Sequence, residues 1–142
     1  MKRIVIILGA LVLILSWRWM ARQEPPELSF ALPMHYMHAA SALAEDDFGK
    51  AKEALLALSQ ESIGELQARA QAAADTSDIE AMRESFKALT EDVAVHMSYP
   101  DDYAVAFCPM YKDGSKWIQK REDPIANPYL GKSVPPCGSF VD

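Results

Sequence analysis

No carboxylate occurs in the first twenty-three residues, and only two cysteines, Cys108 and Cys137, occur anywhere in the 142-residue chain. Two distant cysteines without a CxxC partner pair argue against a four-ligand zinc site. HExxH, a glycine-rich phosphate loop and a Ser–His–Asp ordering are all missing, so the usual hydrolase and nucleotide-binding signatures are absent. There is no internal repeat and no low-complexity tract, which removes solenoid and fibrous architectures. Basic charge is scarce where it would matter for nucleic acid. Four of the fourteen Lys and Arg lie in the first 22 residues, leaving ten against twenty Asp and Glu, a balance of −10. Such a surface repels phosphate backbones, and nucleic acid is excluded as a partner.

The N-terminal segment has what the rest lacks. Lys2 and Arg3 precede an apolar run from Ile4 to Trp17, the pattern of an export signal whose charged end stays cytoplasmic. Small residues would mark a cleavage point, but bulky Trp19 stands where one is needed before any cut after Ala21. No cysteine follows the run to take a lipid, and Trp17 and Trp19 flank Arg18 as an interfacial belt does. Residues 1–22 are therefore expected to remain as a single transmembrane anchor, although fourteen apolar residues span only about 21 Å and must draw in their neighbours. This places the remainder outside the inner membrane, in the periplasm of a cell with two membranes.

Residues 23–32, with Pro25-Pro26, read as a linker to one domain over residues 33–142. Pro33 suits the first turn of a helix that ends at Asp46-Asp47. Phe48, Ala51, Leu55, Leu58, Ser62, Leu66 and Ala70 recur at spacings of three and four, which predicts one long second helix running through Gly64. Ser77-Asp78-Ile79-Glu80 forms a capping box for a third helix with Ile79, Met82, Phe86, Leu89, Val93 and His96 on one stripe. The expected architecture is mainly α, an antiparallel three-helix bundle. From Pro100 onward the composition changes, since six of the nine prolines lie there. Residues 103–108 and 116–120 are β-prone and flank Asp113-Gly114, so a small hairpin is expected, followed by ordered loop. This C-terminal lobe spans about 100–142.

The two cysteines fall in that lobe. In an oxidising compartment they suit a disulfide. Alternatively, Met110 two residues beyond Cys108 on a strand would share its face, and thiolate with thioether selects a soft ion such as copper(I) or silver(I). His96, at the end of the third helix, is either a core residue or a further ligand. Met34 with Met37, and His35 with His38, stand at i and i+3 near the N-terminus of the first helix and form a second possible set of soft donors. Cys108 with His96 as base is the best catalytic pairing, but no third group orients the histidine, so the chain is not read as an enzyme.

The C-terminal series Cys108-Pro109-Met110, Gly114, Trp117, Ile125-Ala126-Asn127-Pro128-Tyr129-Leu130-Gly131 and Cys137-Gly138 resembles a small bacterial envelope domain that occurs alone or fused to the C-terminus of periplasmic adaptor subunits of copper/silver efflux pumps. Residues 42–47 and 82–89 resemble its helical half. The resemblance implies a helical bundle with a sulfur-rich lobe and an accessory role in envelope metal handling, with an efflux adaptor as partner. Cys108, Met110 and Cys137 match that family's pattern. Val134 stands where the family often has a methionine, which would leave a site one thioether poorer.

Overall fold

A computed structural model describes residues 31–92, 94–132 and 136–141, so the segment expected to be a membrane anchor and Val134 both lie outside the described residues. Residues 31–142 form one compact unit. Its elements are α1 (Ala31–Ala44), α2 (Phe48–Glu61), α3 (Gly64–Ala74) and α4 (Ile79–Asp92), a 3₁₀ turn at Ala94–His96, and strands β1 (Tyr103–Cys108), β2 (Ser115–Lys120) and β3 (Ser139–Phe140). The protein is mainly helical with a small three-stranded sheet. Among the described residues no helix is long and apolar enough to cross a membrane.

Four helices stand where three were expected, because the second is divided. Ser62 and Ile63 are extended and Gly64 takes a φ of +68°, a left-handed conformation that glycine adopts without a Cβ penalty. The Ser62 hydroxyl donates to the Ser59 carbonyl at 3.4 Å, diverting a backbone acceptor. The apolar spacing runs unbroken across this corner, which is why periodicity missed it. Ala51, Leu55, Leu58, Ser62 and Ala70 are all buried as the stripe requires, with α3 packed against α2 and α4. Alanines 70, 73 and 74 present small side chains at that contact, which lets the helices approach closely.

The other helix ends follow local chemistry. Asp46 turns the chain at a φ of +58°, and Asp47 caps α2 by accepting from the Lys50 amide at 3.0 Å. Before α4 the cap is Asp78 rather than Ser77, because the Asp78 carboxylate accepts from the Ala81 amide at 2.9 Å. Glu80, released from the expected capping box, instead receives Arg83. The stripe of α4 is buried at Met82, Phe86 and Leu89, but the helix stops at Asp92 and His96 is exposed in the following turn.

Strands β1 and β2 pair antiparallel from Tyr103↔Lys120 to Cys108↔Ser115, as the hairpin expectation required, around a six-residue loop that ends at Gly114. β3 was not anticipated. It adds two residues beside β1, giving the order β2-β1-β3. The sheet has no core of its own. Its buried side chains Ala106, Cys108, Trp117 and Ile118 join Tyr36, Leu55, Phe86 and Tyr129 in one cluster with the helices. Tyr36 stacks on Phe86 with centroids 5.0 Å apart, Trp117 meets Tyr129 edge-on at 6.2 Å, and the Tyr36 hydroxyl bridges Thr90 of α4 and the Ile118 amide of β2.

A buried guanidinium joins the remaining pieces. Arg83 donates from Nε to the Pro128 carbonyl at 3.0 Å, from Nη2 to the Leu43 carbonyl at 2.9 Å and to Asp46 at 2.5 Å, and from Nη1 to Glu80 at 2.6 Å. The Lys132 amide donates to the other Asp46 oxygen at 3.0 Å. Gly131, at a φ of +63°, lies so near that a Cβ there would run into Asp46 Oδ1 and Arg83 Nη2. The Lys132 amide, and then Arg83, hold the Asp46 carboxyl below the usual carboxylate range. Arg83→Met would strand two carbonyls and a carboxylate, and is expected to destabilise the fold by roughly 3 kcal/mol in urea titration. Asp46 has a depressed pKa, so its contribution is present above the unfolded carboxylate pKa and is lost as pH falls through the folded value. Asp46→Asn, which tolerates the left-handed backbone, is therefore expected to be less stable than wild type at pH 7, with the difference in urea midpoint shrinking toward pH 3.

Candidate functional site

The site with chemistry lies where the end of β1 meets the approach to β3. Alternation along β1 turns Ala104, Ala106 and Cys108 inward, so Cys108 is fully buried. Cys137 arrives from 29 residues away, just before β3, and its sulfur stands 2.6 Å from that of Cys108. Cys137 is only partly buried, so the pair has one inner and one outer sulfur.

Three groups outside the cysteines hold this arrangement. Asn127 donates from Nδ2 to the Cys137 carbonyl at 2.8 Å while its Oδ1 accepts from the Tyr129 amide at 2.9 Å, so a tight Asn-Pro-Tyr turn clamps the incoming segment. Gly138, at a φ of +141°, passes so close to the sheet that a Cβ would meet Trp117 at 2.5 Å and the Phe107 carbonyl at 3.1 Å. The backbone amide of Met110 lies near the Cys137 sulfur. That sulfur's pKa is raised, first by its hydrogen bond with Cys108 and then by desolvation, while the Met110 amide acts in the opposite direction. Asn127 and Gly138 were present in the sequence as members of a motif, but their work on Cys137 required the fold to be seen. An Asn-Pro-Tyr turn signal ten residues before the second cysteine was the available clue.

The other candidate ligands are not gathered with the pair in the way the sequence suggested. Strand β1 ends at Cys108, so the two-residue alternation that would align Met110 with it does not apply. The Met110 side chain is 72% exposed in the hairpin loop and contributes its backbone amide instead. His96 is neither a core residue nor part of α4, but an exposed side chain of the 3₁₀ turn. In α1, His35 pairs with Glu61 at 3.3 Å, Met37 is buried, and Met34 and His38 are exposed. Met34, Met37 and His38 border one groove of about 240 Å³ that β2 closes on the other side through Trp117, Ile118 and Lys120. Among the described residues no group of three or more His, Cys, Asp or Glu is placed to hold a metal.

Two converging sulfurs have two chemistries. Oxidation joins them as a disulfide, which needs about 2.05 Å between sulfurs. A soft ion bound to both, at roughly 2.3 Å to each by analogy with zinc–thiolate bonds, would hold them roughly 4 Å apart. The first requires a slight approach of the sulfurs and the second a withdrawal. The chain matches no protein-family model, no curated protein sequence and no solved structure with which it was compared.

Proposed function

We propose that this is an envelope protein, tethered to the inner membrane by residues 1–22, whose periplasmic domain binds copper(I) or silver(I) through the reduced Cys108/Cys137 pair as an accessory to metal efflux or homeostasis. The observation that carries this reading is the convergence of the two sulfurs from positions 29 residues apart. Thiolates are the side chains that soft ions prefer, and such ions need few ligands, so two are enough to begin a site. Met110 borders the pair and would add a thioether after a turn of its exposed side chain. His96 would join only if the 3₁₀ turn folded over the hairpin. The donors Met34, His35, Met37 and His38 lie on α1 and would form, if anything, a separate weaker site. An adaptor subunit of an efflux pump is the partner that the family resemblance implies. Binding, not catalysis, is the proposed activity.

A second reading has its own observation. The sulfurs are nearer to disulfide distance than to the spacing a shared ion requires, and Cys108 is enclosed by core side chains. In this reading the pair is a structural staple, and the domain is an interaction module of the envelope without metal.

Intact mass of the purified full-length protein, with and without reductant and copper(I), separates the two. Metal binding adds one ion to the reduced protein only, whereas the staple shows only the loss of two hydrogens. In competition with a chromophoric copper(I) chelator, Cys108→Ser and Cys137→Ser are expected to nearly abolish binding. Met110→Leu, which loses a neutral thioether and keeps its volume, is expected to weaken it modestly. Equal binding by wild type and both Ser variants would end the metal reading. If the staple forms, closing a loop of 29 residues is expected to make the oxidised protein roughly 3–4 kcal/mol more stable to urea than the reduced one.

A further inference from the structure

The pair is unequal, and the inequality assigns an order of reaction. Cys108 is fully buried at the end of the central strand, while Cys137 is partly exposed on the segment that arrives at the sheet. An external molecule can reach the second sulfur and not the first. Gly138 keeps the chain pressed to the sheet just beyond Cys137, and Asn127 fixes its carbonyl, so the outer sulfur is held beside the inner one.

We propose that Cys137 is the entry thiol and Cys108 the resolving thiol of a thiol–disulfide exchange that closes this site, so that a disulfide partner regulates the metal binding proposed above. The inference uses the same pair as the metal reading, but does not need the metal to hold. In the first step the Cys137 thiolate, its proton given to solvent, attacks one sulfur of an external disulfide RSSR. The S–S bond of that molecule breaks, a mixed disulfide forms on Cys137, and one thiolate RS⁻ leaves. In the second step Cys108 gives its proton to the departing thiolate as its sulfur attacks the Cys137 sulfur, the mixed disulfide breaks, and the second equivalent leaves as RSH. The protein dithiol is oxidised by two electrons and RSSR is reduced to two RSH, so the oxidant is any accessible disulfide, from a small molecule or an oxidoreductase. The closed pair has no thiolate to offer a soft ion. Metal already bound would in turn block the attack, so ion and oxidant compete for the same sulfurs.

The test uses reduced full-length protein, its Cys108→Ser and Cys137→Ser variants, and glutathione disulfide as probe, with acid quench and intact mass. The expected result is one glutathione on Cys108→Ser, which retains Cys137. Cys137→Ser, which retains only the buried sulfur, is expected to stay unmodified until urea unfolds it. Wild type is expected to lose two hydrogens without accumulating an adduct. Peptide mapping of early wild-type samples, which needs no variant to fold, should find any transient glutathione on Cys137. Modification of Cys137→Ser as fast as Cys108→Ser, or early glutathione on Cys108, would overturn the assignment, as would a stable mixed disulfide on wild type. Copper(I) competition on the same samples keeps the two ideas apart. Reduced protein that binds no copper(I) ends the metal reading while the order of exchange is decided by the masses alone, and oxidised wild type that binds copper(I) as well as reduced wild type overturns the proposed regulation.

Discussion

The guanidinium of Arg83 ties three separated parts of this fold to one point. It sits on the otherwise apolar face of α4, and it is satisfied by two backbone carbonyls and two carboxylates drawn from the α1–α2 corner, from its own helix and from the loop after β2. A buried cation is costly to desolvate, and removing it alone leaves its partners unpaired. What the cation supplies is direction. Its planar fork accepts only partners in fixed positions, so the corner at Asp46 and the turn at Pro128 are brought to one point. From that turn the constraint passes along the chain. Asn127 is the residue before Pro128, and its amide holds the carbonyl of Cys137. The position of the outer sulfur is thus tied, through a few hydrogen bonds, to a helix in the middle of the molecule.

Apolar packing supplies the strength that this network lacks. Phe86 on α4 lies between Tyr36 of α1 and Tyr129 of the loop, and Tyr129 is also in contact with Tyr111 and Trp117 of the hairpin. One chain of rings therefore runs from the first helix to the sheet. The polar ends of these rings are used as well, since the Tyr129 hydroxyl donates to the Lys116 carbonyl at 2.6 Å and the Tyr36 hydroxyl covers the free edge of β2 at Ile118. Burial raises the pKa of both tyrosines, which keeps them neutral and able to make these bonds. An edge strand that is met by a helix offers no template for a second chain.

The cysteine pair occupies the one place where this stiff core meets a segment that reaches the sheet late in the chain. A metal would require the outer sulfur to withdraw from the inner one, and a disulfide would require it to advance. Either change acts on β3, which consists of two residues and is paired only with β1. Among the described residues, the adjoining contacts include a glycine against Trp117 and one asparagine amide. A small fold with an otherwise satisfied interior has concentrated its adaptable chemistry at that edge. The buried side-chain polar atoms among the described residues all have partners, consistent with that division.

Local rules in the sequence determined the end of α1, the stripes of α2 and α4, and the β1–β2 hairpin. Each depends on spacing or on a turn residue within a few positions, and both were legible in Asp46-Asp47, Met82-Phe86-Leu89 and Asp113-Gly114. The corner at Gly64 was not legible, because an apolar stripe of threes and fours continues across it and only the packing of α3 against α2 and α4 makes the break favourable. The ends of elements decided two site residues. β1 stops at Cys108, so Met110 turns outward, and α4 stops at Asp92, so His96 leaves the stripe that spacing had given it. Arg83 and Thr90 stand outside the apolar stripe assigned to this helix and are buried because their partners come from 37 to 54 residues away. The meeting of Cys108 and Cys137 was expected from their number alone, but which sulfur is inside and which outside depends on β1 being the central strand and on the chain after Tyr129 returning to pair with it. That is a property of tertiary closure, since no local pattern around either cysteine records how far the other side of the molecule will cover it.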